Sequence, residues 1–359
     1  MNNLEADIAA FIEDETAGDF EALALRLFAY QYEHIKVMGA LAKQAGRTPD
    51  TVTRWQDIPP VPTTAFKQTL MFAGKEPTRV FESSGTSGDA RSRAAFSATG
   101  LELMDVAIRA NAERCFLNDG RATRILVLAP APELAPQMIM AWGMQRLVEC
   151  YGLPGSGFFI GSKGLDARGL IRALQSTETP VTVIGATFGF VHLLDEFAHS
   201  GTRFYCAEGS RTMDAGGFKG RSRVVSRSEM EGLMTDRLEI PAQRQVNLLG
   251  MTELASQFYD GVLAQGSASP RRKLSPHWTR TRVLDPRTLT PASRGILVHL
   301  DLANVERPFA IRSDDIGECD AQGWNILGRA SHADPKGCSL TVEEYLQKKA
   351  TPHLKLAKT

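Results

Sequence analysis

Apolar residues recur at three- and four-residue steps near the start of the chain: Leu4, Ile8, Phe11 and Ile12, then Phe20, Leu23, Leu27, Tyr30 and Ile35. That period lines up one face of an α-helix. Thr-Ala-Gly-Asp at 16–19 interrupts it and Gly46 closes it, so the pattern predicts two helices over residues 3–45. Ile58-Pro59-Pro60-Val61-Pro62-Thr63 cannot continue a helix and reads as an extended connection to Phe66-Lys67.

Beyond residue 98 the texture changes to alternation of two kinds of segment. Residues 99–115, 138–150 and 188–198 are helix-like, while 124–129, 182–185, 203–206 and 246–249 are short apolar runs of the kind that form buried strands. Strands alternating with helices predict a mainly parallel α/β body, with ligands at the carboxyl ends of the strands. After Tyr259 come shorter strand candidates at 281–284, 295–300 and 309–311 with turn residues between them, a small β-rich section. Met138, Met140 and Met144, with Trp142, are assigned to the core of one helix.

Composition narrows the function classes. The chain has 359 residues, and Lys plus Arg and Asp plus Glu both number 41, so no net charge draws it to nucleic acid. The five cysteines are dispersed and lack C-x-x-C spacing, which disfavours a disulfide framework or a zinc site and fits a reducing cytoplasm. No apolar run is long enough to span a membrane, the N-terminus has no secretion signal, and the histidines show no ligand spacing.

The candidate chemistry centres on Ser83-Ser84-Gly85-Thr86-Ser87-Gly88, followed by Arg91 and Arg93. Small residues let backbone N–H groups turn toward an anion, the hydroxyls add donors, and the arginines add positive charge. The same composition also suits a plain surface turn. The stretch is not a Walker loop, because no Lys follows the second glycine. Three further stretches follow in order: Gly250-Met251-Thr252-Glu253, Ile311-Arg-Ser-Asp-Asp-Ile-Gly317, and Gly328-Arg329.

In that order and at those separations the four stretches resemble the adenylate-forming (acyl- and aryl-CoA ligase) superfamily from about residue 58 to 329. The resemblance implies ATP and Mg²⁺. Ser83, Ser84, Gly85, Thr86, Ser87 and Gly88 would hold the phosphates, with Gly250 and Met251 beside the nucleotide. Thr252 would touch the α-phosphate, Glu253 would ligate Mg²⁺, Asp315 would take the ribose hydroxyls, and Arg329 would assist. Leu249 stands where an aromatic usually precedes the glycine, and Asp314 replaces the glycine before the ribose Asp. The implied plan is a helical cap over 1–57, an adenylate-forming large domain over 58–329 and a short tail over 330–359, in place of the superfamily's usual C-terminal lid.

Lys336-Gly337-Cys338-Ser339-Leu340 in that tail supplies a thiol in an electropositive setting, able to take an acyl group from an acyl-adenylate. With Phe66-Lys67 ahead of the loop, this plan is similar to the acyl-protein synthetase family of the bacterial luminescence fatty-acid reductase complex. That resemblance implies activation of a fatty or other carboxylic acid, transfer to Cys338, and delivery to a partner reductase. Two alternatives stay open: delivery to coenzyme A or a carrier-protein thiol, and a non-catalytic nucleotide-binding scaffold. Lys67 and Lys219 are candidates for the lysine of the absent lid. Phe188, Phe190 and Phe258 are candidates for an acyl slot.

Overall fold

The computed structural model describes residues 2–83, 91–176, 178–216, 225–267 and 270–329. They fall into two compact units, one built from residues up to 121 with 137–139 and 246 onward, the other from 122–136 and 140–245.

In the first unit the opening helical stretch forms three helices rather than two: Asn2–Glu13, Phe20–His34 and Lys36–Gln44. Asp19 caps the second, its carboxylate accepting the Ala22 N–H at 2.9 Å, an arrangement that contributes about 1 kcal/mol. The apolar period runs on through Ile35, but that residue leaves helical geometry (φ −112°, ψ 97°) and its buried side chain joins the core. Periodicity alone cannot register such a single-residue break. Gly46 ends the third helix at φ +65°, where Arg47 N–H reaches back to Ala42 O.

The Pro-rich connection becomes the strand Val61–Pro62, paired in parallel with Ile311 and Arg312. It edges a sheet in which Ala310–Asp320, Arg294–Asp301 and Thr279–Leu284 are antiparallel neighbours and Gly323–Arg329 folds back on Ala310–Asp320. This is the expected β-rich section, extended by two strands, Val61–Pro62 and Gly323–Arg329, beyond the three the sequence indicated. Arg79–Glu82 and Arg93–Phe96 form a separate hairpin, leading through the N-cap Ser97 into helix Ala98–Cys115.

The second unit is the parallel body. Its strands lie in the order Arg211–Ala215, Val181–Ala186, Arg124–Pro130, Gly157–Gly161, Gly164–Leu165, all parallel except the last pair. Every residue of Val181–Ala186 is buried, as a strand covered on both faces requires. Gly185 is demanded by packing: a Cβ there would sit 2.5 Å from Leu128 Cβ and 2.7 Å from its carbonyl oxygen. Helices Ala167–Gln175, Thr187–Ser200 and Arg227–Leu238 contribute Leu170, Phe190, Phe197, Met230 and Met234 to one apolar core.

One expected strand is absent. Residues 203–206 do not join the sheet; Phe204 N–H donates to Arg237 O at 2.8 Å and Cys206 N–H to Leu238 O at 3.3 Å. The segment supplies donors that the C-terminal carbonyls of helix Arg227–Leu238 would otherwise lack. The strand is instead Arg211–Ala215, fully buried despite Arg211, Thr212 and Asp214. Asp214 is satisfied there by both terminal nitrogens of Arg227 (2.7 and 2.9 Å) and by the Thr187 hydroxyl at 2.9 Å. Among the described residues, no helix is long and apolar enough to cross a membrane.

Candidate active site

Ser83 sits at the neck of the Arg79–Glu82/Arg93–Phe96 hairpin. Its N–H donates to Ser92 O and its Oγ accepts the Ser92 N–H, both at 2.9 Å. Accepting that bond leaves the hydroxyl proton for another partner. Below the neck Glu82 pairs with Arg91 at 3.8 Å. Ser84, Gly85, Thr86, Ser87 and Gly88 lie outside the described residues, as do Lys219 and Cys338.

Thr252 and Glu253 occupy a turn just past the strand Gln245–Leu249, and both are buried. Gly250 is exposed at its start. Its φ is not left-handed, and a Cβ added there meets nothing within 4 Å. Neither the backbone nor the packing of the described residues requires glycine at this position. Gly328 has the same open surroundings, whereas a Cβ added at Gly317 or Gly323 would lie 2.4 or 2.5 Å from a backbone oxygen.

The turn is held by a polar cluster with no counterpart in the sequence reading. Asn304 Nδ2 donates to Glu253 O at 2.8 Å, and Asp301 Oδ2 accepts the Ser256 N–H at 2.7 Å. Burial pushes the Asp301 carboxyl above its ordinary value, against the hydrogen bonds from Ser256 and the nearby Arg307 charge. The same desolvation brings Arg307 down to about 10, with Asp301 and Glu306 opposing it. The available signal was the density of polar residues in Asp301-Leu-Ala-Asn-Val-Glu-Arg307, which directly follows a buried strand.

Asp315 and Arg329 come together. They are opposite each other in the antiparallel pair, with Arg329 Nε donating to Asp315 Oδ1 at 3.1 Å. Ser313 Oγ accepts the Asp315 N–H at 3.1 Å and fixes the backbone beneath the carboxylate. Asp314, the departure noted above, lies one residue along the same strand. Its side chain therefore points to the opposite face from Asp315, and burial alternates accordingly. The additional carboxylate does not crowd Asp315.

Of the aromatics, Phe188 and Phe190 are buried on helix Thr187–Ser200, the latter in the core of the parallel unit. Phe258 packs against His299 (5.3 Å) and Trp324 (5.2 Å) in the first unit. Lys67 is half-buried in the short helix Ala65–Gln68. Met140 and Met144 are buried on helix Ile139–Tyr151, as assigned, but Met138 is buried one residue ahead of that helix and Trp142 is only half-buried. Among the described residues, no group of three or more His, Cys, Asp or Glu is arranged to hold a metal ion.

Alternating parallel strands and helices and an antiparallel section make a mixed α/β fold of the adenylate-forming class, as the solved structures it resembles show. A long-chain-fatty-acid-CoA ligase (FadD1) from Archaeoglobus fulgidus matches with TM-score 0.50 at 13% identity, covering 71% of this chain and 52% of that one. The ATP-bound RpMatB-BxBclM chimera B3 matches with TM-score 0.50 at 15% identity, covering 81% and 56%. Within that class, residues 3–347 match the family described as "Acyl-protein synthetase, LuxE", and the chain belongs to it. A long-chain-fatty-acid–luciferin-component ligase of Vibrio harveyi is 26% identical over 186 residues, 48% of this chain. The matched segment spans about half of that relative, 47% of its length.

Proposed function

We propose that this protein is an ATP-dependent acid–thiol ligase that activates a carboxylic acid, a fatty acid by the family relation, as acyl-AMP and then carries the acyl group on Cys338. The observation that carries this reading is the Asp315–Arg329 pair, in which two motifs separated in sequence meet across neighbouring strands at 3.1 Å. A carboxylate accepts up to about four hydrogen bonds. Asp315 can thus be oriented by Arg329 and still receive ribose hydroxyls. Gly250 supports the same reading: it is exposed, and neither a positive φ nor any neighbour within 4 Å of an added Cβ demands glycine there for the fold.

In the first half-reaction a carboxylate oxygen attacks the α-phosphorus of ATP; the bond to the bridging oxygen breaks and pyrophosphate departs. Thr252 is the donor assigned to the α-phosphate, and Ser83–Gly88 are assigned to the leaving phosphates. The donor set fits Mg²⁺, which commonly binds through one or two carboxylates plus substrate phosphates; Glu253 would hold it, and it would neutralise charge on those phosphates. In the second half-reaction the Cys338 thiolate attacks the acyl carbon, the carbon–oxygen bond to AMP breaks, and AMP leaves. Cys338 falls inside the segment that matches the family. A thiol on the same chain makes this step intramolecular. The receiving partner is an acyl reductase or another acyl-acceptor protein. In domain terms, 1–57 cap the adenylating domain 58–329, and 330–359 bear the acceptor.

The test is carboxylate-dependent ATP–pyrophosphate exchange over acids of graded chain length, followed by mass spectrometry of the protein after incubation with ATP and the preferred acid. Exchange together with an acyl adduct on Cys338 is expected. Exchange without an adduct favours delivery to a diffusible thiol, and no exchange with any acid refutes the ligase.

A further inference from the structure

We propose that the buried segment 301–307 is a strut that fixes the Thr252–Glu253 turn relative to the hairpin strand Arg93–Phe96, with Arg307 as its positioning residue. The functional importance of that turn rests on the adenylation reading above; the strut itself rests on geometry within the first unit.

At one end the strut grips the turn. Asn304 Nδ2 donates to Glu253 O at 2.8 Å, while Asn304 Oδ1 accepts the Ala255 N–H at 2.9 Å. Asp301 Oδ2 accepts the N–H groups of Ala255 and Ser256 at 3.0 and 2.7 Å, and Oδ1 accepts the Ser256 hydroxyl at 2.7 Å. The backbone on both sides of Leu254 is thereby held by two side chains, and the carboxylate of Glu253 hangs from a fixed peptide.

At the other end it grips the hairpin. Glu306 Oε2 accepts the Ser97 N–H at 3.0 Å, immediately after Phe96, and the Glu306 carbonyl accepts the Ala73 N–H at 2.8 Å. Gly100 makes room for that carboxylate: a Cβ there would lie 2.2 Å from Glu306 Oε2. The Arg307 guanidinium lies 3.6 Å from the centroid of the Phe96 ring. Its Nη2 donates to Asn304 Oδ1 at 2.6 Å. One planar group touches both ends, its face on the hairpin and its edge on the residue that holds the turn.

Gln31 stiffens the segment from behind. Its Nε2 donates to the carbonyls of Asn304, Val305 and Arg307 at 2.6, 2.9 and 2.6 Å, and its Oε1 accepts the Phe309 N–H at 3.1 Å. Plain filling of this volume would be served better by an apolar side chain, because burying a charge is costly. Arg307 is fully buried, and its Nε and Nη1 meet no hydrogen-bond acceptor among the described residues. A flat group that stacks and hydrogen-bonds at once explains the guanidinium there; a lysine has no such plane.

Two variants of the full chain test this. Arg307→Lys keeps the charge and loses the plane; Phe96→Leu keeps an apolar side chain and loses the ring face. Hydrogen exchange at the amides of Ala255 and Ser256 is expected to speed up about tenfold in each, while amides in Val181–Ala186 keep their rates. If Arg307→Lys does not accumulate as folded protein, Phe96→Leu carries the test. Unchanged exchange at Ala255 and Ser256 in Phe96→Leu overturns the strut, whatever the protein catalyses. In ATP–pyrophosphate exchange both variants are expected to lose roughly tenfold or more in kcat with the KM for the acid unchanged; full activity in both overturns the positioning role. A wild-type protein without any acid-dependent exchange refutes the adenylation reading alone and leaves the amide result to decide the strut.

Discussion

Arg329 donates through Nε to Oδ1 of Asp315 at 3.1 Å, across the antiparallel pair Ala310–Asp320 and Gly323–Arg329. The carboxylate is largely buried and the guanidinium is more exposed. A largely buried carboxylate held by an arginine is oriented to accept further charge-assisted hydrogen bonds from a ligand. Replacing Asp315 by Ala is expected to raise the KM for ATP by about ten- to hundredfold, the range for losing hydrogen bonds to a charged group, with the KM for the acid unaffected. Initial rates of pyrophosphate exchange at varied ATP measure this, and an unaltered ATP KM in a folded variant contradicts the assignment.

Gly250 and Glu253 let the demands of the fold be tested apart from the proposed function within one turn. Because a Cβ at 250 meets nothing within 4 Å, Gly250→Ala is expected to leave the melting temperature equal to wild type or about 1–3 °C higher. If Gly250 lies beside the nucleotide as proposed, the same change is expected to raise the KM for ATP. Glu253→Gln keeps the carbonyl that Asn304 holds. It is expected to shift the half-maximal Mg²⁺ concentration upward by about tenfold or more. Thermal melts and Mg²⁺ titrations check both, and a large drop in melting temperature for Gly250→Ala would show that the fold, not the ligand, uses the glycine.

For the proposed acceptor thiol the outcome is binary. Cys338→Ser is expected to keep carboxylate-dependent pyrophosphate exchange and to lose the covalent acyl adduct seen by mass spectrometry. An adduct that persists moves the acceptor elsewhere.

His299 gives a pH dependence of stability that is independent of the catalytic reading. Its ring is fully buried between Phe258 and Trp324, Nδ1 lies 3.0 Å from Thr281 Oγ1, and burial drives its pKa from 6.5 down to about 3. Between those values the unfolded chain binds a proton that the folded chain refuses. The stabilisation is therefore complete above pH 6.5 and is lost as the pH falls toward 3, at up to about 1.4 kcal/mol per pH unit. His299→Asn removes the titration, so the stability gap between wild type and variant is expected to narrow by about 2 kcal/mol from pH 7 to pH 5. Urea unfolding at the two pH values reads the gap directly, and a constant gap refutes the assignment.

The sequence by itself determined the elements whose side chains follow a simple period. Helix Ala98–Cys115 and strands Arg124–Pro130 and Val181–Ala186 were legible because apolar residues at helical spacing, or in a short unbroken run, have one economical way to leave water. The four motif stretches were legible for a related reason: small residues, hydroxyls and isolated charges stand out against such runs. Only the tertiary structure decided the rest. Phe204 has strand-like neighbours but serves the end of a helix, and the polar run Arg211–Ala215 is a buried strand because Arg227 and Thr187, distant in sequence, satisfy Asp214. The meeting of Asp315 with Arg329, of Asn304 with Glu253 and of Arg307 with Phe96 likewise depends on partners brought together by the chain's return. A polar side chain is stable in the interior only when its partner is there too, and local pattern carries no record of where that partner will be.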